Sequence, residues 1–138
     1  MNKNLFYILF ILALFSCKKQ EFSPEGPTDV RVRNRSNTLF LNNIKVDISD
    51  SIKVFGNLAP GNVSDYKRFH KAYPKARITA EVNVNGSMET FSTGSVDYTY
   101  MQYIGQDRIT YEVDISSDMT KRELKIINLI IEEPLIIK

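Results

Sequence analysis

The feature that most restricts how this chain can fold is an alternation of apolar and polar residues with a period of two. It is clearest at Val30-Arg31-Val32-Arg33 and at Ala80-Glu81-Val82-Asn83-Val84. Such alternation is typical of strands with one buried and one solvated face. The second run leads into Asn85-Gly86, which favours a hairpin because both central residues of a type I′ turn take positive φ. The pattern therefore predicts antiparallel strands around this turn.

Further candidate strands recur along the chain, separated by turn residues such as Pro60-Gly61. They cover residues 39–48, 51–58, 64–69, 87–92, 95–103, 108–115 and 123–131. After Cys17, the sequence offers no segment with three clean turns of helical amphipathicity. Short strands at regular spacing, rich in Tyr and β-branched residues, indicate an all-β sandwich.

The N-terminus has a different character, because Leu5 to Phe15 is an uninterrupted hydrophobic run of eleven residues. As a helix it would span about 16 Å, roughly half of a ~30 Å hydrocarbon core. A transmembrane anchor is therefore not expected. Lys3 precedes the run, and a short positive start before such a run is typical of a secretory signal peptide.

The run ends in Leu14-Phe15-Ser16-Cys17, which resembles the lipobox of bacterial lipoproteins. The resemblance implies cleavage between Ser16 and Cys17, and acylation of Cys17 with diacylglycerol and an N-acyl chain. Two or more chains hold a protein stably on a membrane. Lys18 stands where an inner-membrane lipoprotein often has Asp, which favours the outer membrane in either leaflet. The alternative is an ordinary signal peptide followed by an incidental free Cys.

A second resemblance extends over the domain, through Val30-Arg31-Val32-Arg33-Asn34, Gly56-Asn57-Leu58-Ala59-Pro60-Gly61 and Ser64-Asp65-Tyr66-Lys67. These stretches resemble small Gram-negative envelope lipoproteins with an immunoglobulin- or fibronectin-type-III-like domain. The resemblance implies an immunoglobulin-like antiparallel β-sandwich of about seven to nine strands. It implies no catalytic residues.

Three regions follow from these observations. Residues 1–16 are expected to be the signal peptide, residues 17–28 the lipidated Cys and a flexible tether, and residues 29–138 the β-sandwich domain. The tether is expected to be flexible because residues 18–28 combine charge with two prolines and a glycine.

Composition excludes several classes of function. With one Cys and one His, the chain cannot form an intramolecular disulfide or supply a Cys/His zinc site. Its 18 basic and 16 acidic residues give no reason to expect nucleic acid as a partner. His70 lies between cations in Arg68-Phe69-His70-Lys71 and is expected in a surface loop. We therefore predict no cofactor, no metal and no catalysis.

Carboxylate chemistry remains as an alternative, because it needs no His. Asp47 and Asp50 flank one expected turn, and Asp114 and Asp118 flank another. Asp is a common turn former because its side chain bonds nearby backbone groups. Turn formation is the favoured interpretation, with a loop calcium site or a carboxylate-dependent hydrolase as the alternatives.

Three arginines form a candidate anion-binding patch. Arg31, Arg33 and Arg35 are spaced at i, i+2 and i+4, so that an extended strand places them on one face. Near the membrane they would attract lipid phosphates. The alternative is a charged face that keeps an edge strand from pairing with other chains.

Several tyrosines form a candidate ligand platform. Tyr98 and Tyr100 would share one face of a strand over residues 95–103, with Tyr103 and Tyr111 nearby in sequence. Aromatic platforms bind sugars, so the chain would be a glycan-binding surface lipoprotein. The alternative is ordinary cross-strand packing of Tyr within a sheet.

The last predicted strand is apolar on both faces, in Lys125-Ile126-Ile127-Asn128-Leu129-Ile130-Ile131. A strand of a two-layer sandwich normally has one wet face. Either the end of the chain folds back over it, or the strand meets a partner. The candidate interface residues are Ile127, Leu129, Ile131, Leu135, Ile136 and Ile137.

Together these observations predict a membrane-anchored lipoprotein of the bacterial envelope that acts as a non-catalytic binding or structural module. Its expected partners are the membrane, through the acyl chains on Cys17, and an envelope protein or a glycan.

Overall fold

The structure is a computed structural model, and it describes residues 26–133. In this range the chain forms eight strands and one turn of 3₁₀ helix at Met119–Lys121. The strands are β1 (Thr28–Asn34), β2 (Leu41–Ile48), β3 (Ser51–Leu58), β4 (Lys67–Phe69), β5 (Arg77–Val84), β6 (Ser87–Ser92), β7 (Arg108–Ile115) and β8 (Leu124–Glu132). No helix in this part of the chain has the length and apolar character needed to cross a membrane.

The strands form two sheets of four, which confirms the predicted all-β sandwich. One sheet has the order β4-β1-β7-β8 and is called sheet A; the other has the order β3-β2-β5-β6 and is called sheet B. Neighbouring strands run antiparallel except for β1 and β7, which are parallel. A constant-type immunoglobulin domain instead places its first, second, fourth and fifth strands in one sheet. This sandwich therefore has a strand order different from that of the immunoglobulin domain.

The core forms between the inner faces of the two sheets, as the period-two pattern requires. Val30 and Val32 on β1 are completely buried, while Arg31 between them and Arg33 after them are only partly buried. On β7, Ile109, Tyr111 and Val113 are likewise buried. Removing one such aliphatic side chain from water contributes about 1.5–3 kcal/mol, so this alternation supplies the main drive for folding.

The β5–β6 hairpin has the predicted turn. Asn85 and Gly86 both have positive φ, 52° and 88°, and the register continues from Val84 opposite Ser87 to Thr79 opposite Ser92. The Asn-Gly dipeptide therefore sets the hairpin through the local φ values of its two turn residues.

The strand predicted over residues 95–103 is wrong, because residues 93–107 form a loop without strand structure. Its polar groups bond to other parts of the fold. The Ile104 N–H donates to the Ala72 carbonyl at 2.9 Å, and the Tyr98 hydroxyl donates to the Asp47 carbonyl at 3.2 Å. Tertiary contacts thus override the β propensity of this aromatic-rich segment.

The start of the domain lies slightly before the predicted boundary, since β1 begins at Thr28. Thr28 is buried, and its hydroxyl donates to the Gly105 carbonyl at 2.5 Å. At Gly26, an added Cβ would lie 2.5 Å from Cγ of Gln106. The end of the predicted tether is thus packed against the loop that precedes β7.

Candidate functional site

The arginines of β1 lie on the outer face of sheet A, as their spacing predicts. Arg33 is opposite Glu112 of β7 in the parallel register, and its Nη1 lies 3.3 Å from Oε1 of that carboxylate. Arg35 approaches the same oxygen at 3.8 Å. Asn128 of β8 donates to the other oxygen, Oε2, at 3.0 Å. Glu112 is only 8% exposed, so these partners replace the water that it loses.

The hydrogen bond from Asn128 is the main cause that lowers the pKa of Glu112, and the Arg33 hydrogen bond adds to it. The opposing effect of burial is smaller than these interactions together. Glu112 is therefore held as a carboxylate by its neighbours, which suits a structural anion rather than a proton donor.

Arg31 forms the second part of this polar face. Its Nε donates to the Thr110 hydroxyl at 2.8 Å, its Nη2 lies 3.4 Å from Oε2 of Glu132, and its guanidinium lies 4.6 Å from the ring centre of Tyr66. The Tyr66 hydroxyl donates to the same Glu132 oxygen at 2.5 Å, and this bond lowers the pKa of Glu132.

The arginine patch is consequently neutralised in part by its own sheet, with two carboxylates beside three arginines. Arg31 is paired with Glu132, and Arg33 and Arg35 are both paired with Glu112. The anion-patch interpretation assumed three arginines without acidic partners. In the structure, each of the three has a carboxylate beside it. The edge-protection alternative is wrong, because β1 lies between β4 and β7 inside the sheet.

The three candidate tyrosines do not lie on one strand face. The Tyr98 ring packs on Tyr73 with 4.7 Å between ring centres, and burial raises the pKa of Tyr98. Tyr100 is 99% exposed. Lys71 lies 5.6 Å from the ring centre of Tyr103. The glycan-platform prediction thus loses the shared face on which it was based, because residues 93–107 fold as a loop.

The paired acidic residues serve local structure. Asp118 accepts from the Thr120 N–H at 3.1 Å and so caps the 3₁₀ turn. Asp114 accepts from the Ile115 N–H, and Asp47 lies 4.0 Å from Arg77. Within residues 26–133 no cluster of three His, Cys, Asp or Glu side chains is placed to hold a metal ion. His70 is exposed, as predicted.

The apolar surface of β8 is the remaining candidate. β8 is an edge strand of sheet A, and Ile127 and Ile131 are 53% and 54% exposed. Leu129 is opposite the buried Tyr111, so it belongs to the inner face of the sheet. Ile127 has no residue opposite it, because β8 has a bulge between the Glu112–Asn128 and Val113–Ile126 pairs.

A groove of about 630 Å³ runs beside this strand. Consecutive residues from Glu123 to Leu129 line it, so both faces and the edge of β8 contribute to one wall. The other wall comes from the loop after β6 and the segment before β5, including Ala76, Val96 and Met101. Sequence reasoning missed this groove because it assigned residues 95–103 to a strand.

Some predicted site residues lie outside the described residues. They are Ser16 and Cys17 of the lipobox, and Leu135, Ile136 and Ile137 after β8.

No protein-family model matches this chain, and no curated protein matches it.

Proposed function

We propose that this protein is a lipid-anchored lipoprotein of the bacterial outer membrane, and that its β-sandwich is a non-catalytic binding or structural module. Leu14-Phe15-Ser16-Cys17 supports the anchor. The ionic groups on the outer face of sheet A support a structural role for that face, because its buried carboxylate is occupied by Arg33, Arg35 and Asn128.

The observation that carries the binding role is the apolar edge of β8 with the groove beside it. Monomeric proteins seldom leave a long apolar strand edge open, since its backbone groups and side chains would pair with another chain. Ile127 and Ile131 on this strand each expose more than half of their surface. We therefore assign the binding surface to β8 and the groove.

The topology favours access to this surface from outside the membrane. The start of β1 lies beside Arg108, and Arg108 is opposite Glu132 at the end of β8. A tether entering at Thr28 therefore reaches the domain at the Glu132 end of sheet A. The groove is lined by residues 123–129, so it begins at the opposite end of a strand about 30 Å long and ends three residues before Glu132.

Metabolic labelling with a radioactive fatty acid tests the anchor. We expect the wild-type protein to be labelled and to fractionate with the outer membrane. Cys17→Ala should remove the label, because the acylated sulfur is lost. Ser16→Ala is the matched control, since it keeps a small residue at the cleavage site and should keep the label. Labelling that persists in Cys17→Ala would overturn the proposal.

A further inference from the structure

The four sheet edges of this sandwich differ in how well they are protected against pairing. β4 is only three residues long and exposes Lys67 and Arg68. β3 and β8 each have a bulge against their inner neighbour, but β3 also contains Lys53, and β6 has six residues with Glu89 among them. These are the usual devices that blunt an edge. β8 has nine residues, and its sequence from Ile126 to Ile131 contains no charge.

We propose that β8 pairs antiparallel with β8 of a second copy, joining two four-stranded sheets A into one eight-stranded sheet. This deepens the proposed function, since it makes a second copy the occupant of the β8 surface. In a two-fold symmetric pair the same surface meets itself, so one residue must lie opposite its own copy. The choice of that residue sets every other pair.

A two-fold axis at Leu129 places an apolar residue opposite an apolar residue and a basic residue opposite an acidic one. We keep the bulge that β8 has against β7, so that Ile127 is left without an opposite residue. This axis then places Ile126 opposite the second copy's Ile131, and both lie on the inner face. It sets Lys125 opposite the second copy's Glu132, both on the outer face, since they lie opposite Asp114 and Arg108 of β7. Opposite charges facing each other across two strands stabilise the pair, and the symmetry makes this pair occur twice.

The two neighbouring registers place charged residues opposite less favourable partners. An axis at Asn128 places Glu132 opposite the second copy's Glu123, which is a repulsive pair. An axis at Ile130 places Ile126 opposite the second copy's Glu133. Like charges directly opposite destabilise a sheet, which disfavours the Asn128 axis. The Ile130 axis loses both the Lys125–Glu132 pair and the Ile126–Ile131 pair, so the Leu129 register is favoured over both.

The groove fits this arrangement. In the Leu129 register, residues 129–133 of the second copy lie along residues 124–129 of the first, which is the stretch that lines the groove. The second copy's Ile131 then enters beside Ile126, where Ala76, Val96 and Met101 form the opposite wall. The exposed isoleucine at the end of β8 thereby gains an apolar environment.

Residues 134–138 are the other candidate to cover β8. Even fully extended they span at most about 17 Å, whereas β8 is about 30 Å long. They could cover the Glu132 end but not the length from Lys125 to Leu129. In the Leu129 register, the strand of a second copy lies along the whole stretch from Lys125 to Glu132.

Cysteine cross-linking in membranes containing the full-length protein tests the register. Leu129→Cys should form a disulfide-linked dimer under mild oxidation, because the symmetry brings the two cysteines together. Ile52→Cys is the control, since Ile52 is exposed on β3 of sheet B and should stay monomeric. The double variant Ile126→Cys, Ile131→Cys should also give a dimer, and it tests the same register without altering Leu129.

The inference is overturned if neither cysteine variant yields a dimer beyond that of Ile52→Cys. Deleting residues 134–138 from the Leu129→Cys variant distinguishes the other occupant. An unchanged dimer yield supports pairing between copies, whereas a dimer that forms only after the deletion would show that the chain end covers β8. Fatty-acid labelling of the same samples separates the two proposals, because a labelled protein without cross-linking contradicts only the dimer.

Discussion

Glu112 is the residue around which the outer face of sheet A is organised. It is nearly buried, and it accepts hydrogen bonds from Arg33 and Asn128 while Arg35 approaches at 3.8 Å. The polar partners come from β1, its C-terminal extension and β8, so one carboxylate of β7 connects three neighbouring strands. Removing such an acceptor leaves its donors without their partner in a place with little water.

We expect Glu112→Gln to lower the free energy of unfolding by about 1–3 kcal/mol, because the anion that Arg33, Arg35 and Asn128 share is lost. Urea denaturation at neutral pH measures the change. Glu123→Gln is the matched control, since its carboxylate is 45% exposed and pairs with Lys125 at the surface, and such exposed pairs contribute about 1 kcal/mol at most. Equal effects of the two substitutions would argue against a structural role for Glu112.

The same carboxylate predicts a dependence on pH. Its pKa in the folded state lies below the ordinary value of 4.5, so its contribution is complete above that value. The contribution is lost as the pH falls through the lower, folded-state pKa. The wild-type advantage over Glu112→Gln should therefore shrink as denaturation is repeated at pH values progressively below about 4.5.

At the scale of the element, the β5–β6 hairpin shows how two residues fix a register. Asn85 and Gly86 take the positive φ values of a type I′ turn, and the strands then pair without a shift from Val84–Ser87 to Thr79–Ser92. Because strand side chains alternate between faces, a slip of one residue would turn Ile78, Ala80 and Val82 away from the core. By fixing the register, the turn keeps these three side chains on the inner face of sheet B.

We expect Gly86→Ala to destabilise the domain by about 1–2 kcal/mol, because an L residue at this positive φ is strained. An added Cβ meets no atom within 4 Å, so the cost comes from the backbone alone. Thermal denaturation followed by circular dichroism gives the measurement. Ser87→Ala, at the next and exposed position, should change stability little. A loss in Ser87→Ala as large as in Gly86→Ala would contradict this explanation.

At the scale of the whole molecule, the sandwich separates a polar outer face from an apolar edge. Carboxylates of β7 and β8 balance the arginines of β1, whereas β8 keeps Ile127 and Ile131 exposed at the margin of the same sheet. Self-association through that margin would leave the polar face open on both copies. It would also bury the least protected edge of the fold.

The double substitution Ile127→Lys, Ile131→Lys should leave the folded domain intact, because both side chains are more than half exposed. It should abolish the Leu129→Cys cross-link, because charges on an edge strand oppose pairing. Non-reducing gels and circular dichroism report the two outcomes. Tyr100→Lys is the control, since Tyr100 is almost fully exposed on the 93–107 loop and its substitution should keep the dimer. A dimer that survives the double substitution would contradict the β8 interface.

The sequence by itself determined what depends on neighbouring residues. Period-two alternation predicted β1 and β5, and Asn85-Gly86 predicted a hairpin, because side-chain alternation and turn φ values are local properties. The spacing of Arg31 and Arg33 likewise placed them on one face. The lipobox, which remains a prediction, is also a local motif.

Only the tertiary structure decided what depends on residues far apart in the chain. Arg33 meets Glu112 across 79 positions and Arg31 meets Glu132 across 101, and no local pattern selects such partners. The parallel β1–β7 pairing made β1 an internal strand. Its arginines therefore contact carboxylates and do not protect a sheet edge from pairing. β8 became the edge instead, because strand order is set by how two whole sheets pack around one core.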